Sequence, residues 1–201
     1  MTFARALEVS FQELSYRQRW NHYLVLIMSG ILLFAGVSLR DNALMATTLY
    51  TNTGAGIQAQ YPRNWLLDSS GDYIFRVRDI SHLGFKTTIQ VSVQAVGTVT
   101  TVRNVLDSLT LNRAQVFAAY KVLSLEDNYV LPDESRATIV NYTYAIVDPD
   151  PFLQSIPSVV RGYDIITIKR GQAIIITFLS DSNTFETNFE VFERFVNSLE
   201  F

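Results

Sequence analysis

A charge-free run of 17 residues, Tyr23–Leu39, constrains this chain more than any other part of its sequence. As an α-helix the run would be about 26 Å long, at about 1.5 Å per residue. Since the hydrocarbon core of a bilayer is about 30 Å thick, it can cross a membrane if flanking aromatic residues extend it. Trp20 and Tyr23 lie where an interfacial aromatic belt would be, and Arg40 can reach the opposite interface. We predict a transmembrane helix over residues 22–40.

The same run could instead belong to a secretory signal peptide, which is removed after export. Such a peptide has a short basic leader, an apolar stretch of about 7–15 residues and a cleavage site with small residues. Here 22 residues precede the run, and the run itself is longer than that range. Residues 44–46 have leucine where a small residue is required, and the small residues at 36–38 lie inside the apolar run. We therefore predict that the segment is retained as an anchor.

The charges beside the run predict its orientation. Arg5, Arg17 and Arg19 precede it, whereas only Arg40 follows within about 20 residues. Because positively charged flanks stay in the cytoplasm, the N-terminus should be cytoplasmic. The sequence thus predicts a single-pass protein of the cell (inner) membrane with residues 41–201 in the periplasm or outside the cell.

The composition excludes several functions for the exported part. Residues 41–201 carry 12 basic and 17 acidic side chains, a net charge of −5. Affinity for nucleic acid comes mainly from neutralised phosphates, so we expect no nucleic-acid partner. The chain has no cysteine, which excludes disulfides, thiolate metal sites and cysteine nucleophiles.

Small residues give the predicted transmembrane helix a face on which another helix could pack. Ser29 and Gly36 are seven residues apart and therefore share a face, and Gly30 lies beside them. Small side chains let two helices approach closely. Glycine and serine are also common in membrane helices in general, so a docking face and ordinary composition both remain open.

The leader, residues 1–21, has apolar residues at helical spacing. These are Phe3, Leu7, Phe11 and Leu14. A helix with such a stripe could lie on the inner membrane surface or against a partner subunit. A membrane-surface helix would have more lysine and arginine, so Glu8 and Glu13 favour docking on a partner.

The exported part follows a short polar linker, residues 41–53, and is predicted as one domain over residues 54–201. Its apolar residues mostly alternate, which is typical of half-buried antiparallel strands. We expect strands at 56–62, 73–79, 87–96, 137–148, 162–170 and 172–180, and helices at 101–123 and from 181 onward. This order predicts an α+β fold, an antiparallel twisted sheet with packed helices.

Two short motifs in this part resemble the PsbP-like family. The first is the Gly-apolar-x-apolar-x-Tyr-Pro-x-x-Trp segment, here Gly56, Ile57, Ala59, Tyr61, Pro62 and Trp65. The second is the end of the C-terminal helix, with Ser198 and Phe201. The resemblance covers about residues 50–201. It implies an accessory or extrinsic protein of a membrane complex, as on the oxygen-evolving side of photosystem II, and its signature supplies no catalytic residues. The transmembrane helix and leader depart from typical members.

Few residues point to catalysis or metal binding. His22 lies beside the apolar run and is interpreted as interfacial, whereas His82 could pair with Asp79 in a solvated loop. A nucleophile-elbow motif is absent. Carboxylates occur in pairs that could bind a hard cation, but without EF-hand spacing; these are Glu126-Asp127, Asp133-Glu134 and Asp148-Asp150. We predict no catalytic residue, no cofactor and no metal site.

The sequence as a whole predicts a non-catalytic accessory subunit that stabilises or assembles a membrane protein complex. We expect an energy-transducing complex, photosynthetic or respiratory, with other membrane subunits and the lipid bilayer as partners. The alternative is a membrane-anchored periplasmic module that binds an apolar small molecule between sheet and helix. A subunit predicts an apolar outer patch, and a binding module predicts an apolar pocket.

Overall fold

The computed structural model describes residues 15–82, 84–147 and 157–200. The chain divides into two compact units, residues 1–46 and 47–201. Helix α1, Tyr16–Leu44, forms the described part of the first unit. It begins at a cap in which the backbone N–H of Ser15 donates to Gln18 Oε1 at 2.9 Å. The helix extends beyond the predicted 22–40 at both ends.

The described residues of the second unit form nine strands and two helices. A hairpin is formed by β1, Thr47–Asn52, and β2, Ile57–Pro62. The other strands form one antiparallel sheet in the order β3-β4-β5-β9-β8-β7-β6, which confirms the predicted α+β class. They are β3 (Leu66–Asp68), β4 (Phe75–Arg78), β5 (Thr88–Ala95), β6 (Ala118–Val130), β7 (Arg136–Ile146), β8 (Ser158–Lys169) and β9 (Gln172–Asp181). The helices are α2 (Val102–Val116) and α3 (Phe185–Asn197).

The two helices cover opposite faces of the seven-stranded sheet. Successive residues of a strand point to opposite faces, and in β9 both sets are apolar. Ile176 and Phe178 pack into the core that includes α3 and the β1–β2 hairpin. Ala173 and Ile175 pack into the second core, which includes α2. A sheet buried on both faces explains why its central strands are so rich in apolar residues.

The predicted linker and the first predicted helix of the domain differ from the structure. Residues 41–53 include the end of α1 and strand β1, whose Tyr50 packs on Phe75 with ring centroids 4.4 Å apart. The helix expected over 101–123 ends at Val116, and β6 follows it. Beyond that end, the ring of Phe117 stacks on Tyr144 at 4.2 Å. Pairing and packing with neighbouring strands determine the conformation of both segments, and the local sequence pattern does not reveal these contacts.

Adding a methyl group at Gly162 should destabilise the domain. Gly162 on β8 pairs with Tyr142 on β7, and an ideal Cβ at Gly162 would lie 2.2 Å from Tyr142 Cζ. Because Tyr142 is only 1% exposed, its ring cannot swing into solvent. We expect Gly162→Ala to lower the free energy of unfolding in urea by about 1–3 kcal/mol.

Gly97 provides the control for this substitution. An ideal Cβ there would meet Thr100 Oγ1 at 3.6 Å, an ordinary van der Waals contact. We expect Gly97→Ala to leave the urea midpoint almost unchanged. Equal midpoints for the two variants would show that Tyr142 leaves room for a side chain at Gly162.

Candidate functional site

Helix α1 presents an apolar surface that nothing in the described residues covers. Within its stretch Tyr16–Ala43, a window of 18 residues has a mean hydropathy of 2.0 and is unburied. At about 1.5 Å per residue these 28 residues are long enough to span a bilayer. The residues predicted to be interfacial lie on this helix, Trp20 and Tyr23 in its first third and Arg40 in its last turns. Trp20 is 67% exposed, and tryptophan is enriched at membrane interfaces because its ring is apolar and its N–H is polar.

The small residues predicted to pack against another helix also lie on α1. Ideal Cβ atoms built at Gly30 and Gly36 meet nothing within 4 Å. Ser29 and Gly36, seven residues apart, lie on the same side because two helical turns span about seven residues. Whether another helix packs there stays a prediction. The leader stripe of Phe3, Leu7, Phe11 and Leu14 lies outside the described residues.

Strand β6 is a long, exposed edge of the sheet. It pairs with β7 on one side only, and among the described residues its other edge has no neighbouring strand. Three irregularities interrupt the pairing, and Ala119 and Asn128 have φ values of 53° and 67°. Such bulges are common on edges. Apolar side chains are nevertheless exposed along it, with Val122 37%, Leu123 50% and Leu125 38% accessible. An apolar, unpaired edge is a template for binding another chain.

A groove of about 270 Å³ lies between α3 and the β6–β8 end of the sheet. The sequence alone does not reveal this groove, because β6 has no recognisable strand pattern and the facing rings belong to separate elements. The groove is lined by Tyr129, Tyr163, Ile165, Phe189, Phe192, Glu193, Val196 and Asn197. Most of these side chains are aromatic or aliphatic, with one carboxylate and one amide among them.

A buried ion pair fastens α2 to the opposite face of the sheet. The guanidinium of Arg113 donates to the carboxylate of Asp164, which is fully buried on β8. The hydroxyl of Tyr142 donates to the same carboxylate at 3.4 Å, and the guanidinium lies 4.5 Å from the centre of its ring. Burial alone would lower the pKa of Arg113, but the carboxylate outweighs it and the pKa is raised. The cluster is therefore a charged clamp for α2.

His82 and Asp79 form the predicted pair within a turn. His82 Nδ1 lies 2.9 Å from Asp79 Oδ2, and the hydroxyl of Ser81 donates to Asp79 Oδ1 at 2.6 Å. Burial alone would raise the pKa of Asp79, but hydrogen bonds from Ser81 and His82 outweigh it and the pKa is lowered. Ser81 Oγ also lies 3.0 Å from His82 Nδ1, so the three side chains are linked to one another and hold the turn.

The paired carboxylates are engaged in local contacts. Asp133 Oδ2 accepts from Lys169 at 2.6 Å, and Asp127 Oδ1 accepts from Thr138 at 3.0 Å. Within residues 15–82, 84–147 and 157–200, no three histidine or acidic side chains come together as metal ligands would. The pair at 148–150 lies outside this part of the chain.

The two family-like motifs meet in space at one end of β2. Ile57, Ala59 and Tyr61 are buried on its inner face. The backbone N–H of Gln60 donates to Ser198 Oγ at 2.9 Å, at the end of α3. Gly56 has φ 65°, a conformation that glycine adopts without strain. The motifs therefore bring the N- and C-terminal ends of the domain together and have a structural role; Phe201 lies outside the described residues.

The second unit has a PsbP-like fold, a class defined by this antiparallel sheet with its packed helices. Cyanobacterial PsbP (CyanoP) from Synechocystis superposes with a TM-score of 0.56 at 14% identity, covering 77% of this chain and 92% of that one. No protein-family model and no curated protein sequence matches the chain.

Two further solved structures have the same fold. LpqN, involved in cell envelope biogenesis of Mycobacterium tuberculosis, gives a TM-score of 0.52 at 9% identity, covering 77% of this chain and 89% of that one. The Ran-binding protein Mog1p of Saccharomyces cerevisiae gives 0.50 at 8% identity, covering 78% and 95%. At such identities the likeness shows the fold alone.

Proposed function

We propose that this protein is a non-catalytic, single-pass accessory subunit that stabilises or assembles a membrane protein complex. The observation that carries the proposal is the uncovered apolar helix α1, joined to the folded domain by only two residues, Met45 and Ala46. Two residues span at most about 7 Å. A retained helix would therefore keep the docking surfaces of the domain within reach of other membrane proteins.

The exposed edge of β6 supports a protein partner for the domain. A partner strand added there would gain main-chain hydrogen bonds, and its side chains would contact exposed apolar residues such as Leu123 and Leu125. In α1, Ser29, Gly30 and Gly36 would supply a second contact, with a partner's transmembrane helix. The leader would supply a third in the cytoplasm, and the arginines before α1 favour that orientation.

An energy-transducing complex, photosynthetic or respiratory, is the partner that we favour, and the PsbP-like fold supports this choice. The alternative is an anchored module for an apolar small molecule, which would use the groove beside α3. At about 270 Å³ the groove is smaller than the pockets of about 300–1,000 Å³ that hold drug-sized ligands. A cavity of about 380 Å³ between α2 and strands β5 and β9 falls within that range, but most of its lining side chains are polar or charged, which suits an apolar ligand poorly. The accessory-subunit function therefore has the stronger support.

Native-gel electrophoresis of gently solubilised membranes tests the proposal. The full chain is expected to migrate with the subunits of one large complex, which mass spectrometry of the band would identify. Migration near its own mass of 22.8 kDa plus detergent would contradict the accessory-subunit function.

A bulky residue at Gly36 should weaken this co-migration. Isoleucine there would hold a neighbouring helix away from the side of α1 that carries Ser29 and Gly36. We expect Gly36→Ile to release most of the protein from the complex on native gels. Phe34 lies on the opposite side of the helix, so Phe34→Ile serves as the control and should leave the complex intact. Equal retention of both variants would exclude this packing face.

A further inference from the structure

We infer that the groove between α3 and the sheet binds a cationic side chain, arginine or lysine, of a protein partner. The inference rests on the proposed function, because it names the chemistry that the partner subunit presents to the domain. It rests on three observations. Aromatic rings line the groove, two carboxylates lie near these rings, and two turns earlier on α3 a ring and a carboxylate hold a guanidinium of the same chain.

The rings of the groove stand at steep angles to one another. The centroid of Tyr163 is 5.0 Å from that of Phe189 and 5.7 Å from that of Phe192, with interplanar angles of 69° and 71°. Phe192 is buried, whereas Tyr129, Tyr163 and Phe189 are half-buried and leave part of their rings accessible. Edge-to-face contact fixes the orientation of these rings, and the accessible parts of Tyr129, Tyr163 and Phe189 line the groove. Since the faces of aromatic rings attract cations within about 6 Å, a cation in the groove would lie beside them.

Two carboxylates add negative charge beside these rings. Glu193 lines the groove. The pKa of Tyr163 is raised, first by burial and then by Tyr129, Glu126 and Glu193, which places both glutamates near the phenol. In the described part of the chain, neither glutamate forms a salt bridge. The groove therefore combines accessible rings with unneutralised negative charge.

The same helix already holds a cation in this kind of arrangement. Arg161 donates to Glu186 at 2.7 Å, and its guanidinium lies 4.1 Å from the centre of the Phe185 ring. Glu193 and Phe192 each follow their counterparts, Glu186 and Phe185, by seven residues, or two turns. On β8 the position facing the second set is Tyr163. The first set shows that a guanidinium can be held between a ring and a glutamate of α3. In the second set Phe192 is buried, so the accessible ring of Tyr163 would take the part of Phe185, and a partner would supply the cation.

The size of the groove favours a single side chain as its occupant. Its volume of about 270 Å³ is below the range of pockets for drug-sized ligands. Arginine is enriched among the few residues that carry most of the affinity at protein interfaces. Its planar guanidinium can stack on a ring while donating to a carboxylate, so it suits both features of the groove.

Binding of a matched pair of small probes to the full chain in neutral detergent tests the inference. N-acetyl-arginine amide carries the guanidinium, and N-acetyl-citrulline amide has nearly the same shape without the charge. We expect NMR signals of isotope-labelled tyrosine and phenylalanine rings to shift with the arginine probe, which should bind about fivefold more tightly than the citrulline probe. Equal binding of the two, or no binding, would overturn the inference.

Charge-neutralising variants test whether the arginine probe binds in the groove. Glu126→Gln combined with Glu193→Gln should remove the preference for arginine over citrulline. Glu190→Gln is the control, because Glu190 is exposed on the same helix but does not line the groove. Loss of the preference in the control, or its persistence in the double variant, would contradict the assigned site. Binding of choline without binding of the arginine probe would overturn the side-chain occupant and indicate a free quaternary ammonium ligand.

The probe-binding test of this inference and the native-gel test of the proposed function can fail independently. If the chain migrates with a complex but its groove does not prefer arginine, the inference fails and the accessory-subunit function stands. If the groove prefers arginine but the chain migrates alone, the accessory-subunit function fails. In native membranes the double glutamine variant should also co-migrate less than Glu190→Gln does.

Discussion

Replacing Asp164 with alanine is expected to lower the free energy of unfolding by about 3–5 kcal/mol. Asp164 is fully buried and receives hydrogen bonds from Arg113 and Tyr142. Without it, the guanidinium would stay charged between α2 and the sheet, with no carboxylate to offset its lost hydration. The loss of a charged partner therefore costs more than the loss of an ordinary hydrogen bond, which is about 1 kcal/mol.

Urea unfolding of the full chain in detergent, followed by near-ultraviolet circular dichroism, measures this loss. The exposed pair of Arg103 and Asp107, 3.2 Å apart on α2, is the control. We expect Asp107→Ala to change the free energy of unfolding by less than about 1 kcal/mol. Removing both charges together, by Asp164→Leu with Arg113→Met, should restore much of the stability. Equal losses for Asp164→Ala and Asp107→Ala would show that the buried pair is not a clamp.

Truncating Phe178 to alanine is expected to cost about 3–5 kcal/mol of the free energy of unfolding. Phe178 is fully buried on β9, between β5 and β8 in the sheet. Its ring stacks on Phe192 at 5.0 Å and lies 5.3 Å from Phe185. Alanine would therefore leave a cavity under α3 and remove contacts that hold the helix against the sheet.

A graded series of variants separates the cavity from other effects. Phe178→Leu keeps most of the apolar volume and should cost less than Phe178→Ala. Val99 is 89% exposed, so Val99→Ala should stay within about 0.5 kcal/mol of the original protein. The same urea unfolding measurement applies. A cost for Phe178→Ala no greater than that for Val99→Ala would mean that α3 does not depend on this ring.

Strands that bury one or both faces could be predicted from their own residues. In β5, the alternation of Ile89 and Val91 with Gln90 and Ser92 reports the buried face directly. The apolar runs of β8 and β9 mark the centre of the sheet. In α3, the helical spacing of apolar residues reports the face that packs on the sheet.

Segments whose conformation depends on distant neighbours could not be predicted in this way. Nearly every residue of β6 is exposed, so its sequence has no buried alternation to recognise. Its pairing with β7 defines it as a strand. Similarly, β1 is a strand because it pairs with β2, and its residues alternate only between exposed and half-buried positions.

The candidate sites also differ in whether the local sequence reveals them. The residues of α1 predicted to contact membrane or partner lie on one continuous helix, so spacing alone could find them. The groove beside α3 combines Tyr129 of β6, Tyr163 of β8 and Phe189 of α3, which are up to 60 residues apart. Each of these rings on its own is an ordinary core residue.

The sequence by itself determined the apolar helix α1, the α+β class and most of the strands, because local hydropathy and periodicity report which side chains leave water. The tertiary structure decided the assignment of α2 and α3 to opposite faces, the edge position of β6 and the groove beside α3. These depend on strand order and on contacts between distant residues. Burial of one face produces a periodic pattern of apolar residues within the segment itself. The sequence of a strand, by contrast, does not indicate which other strand it will pair with.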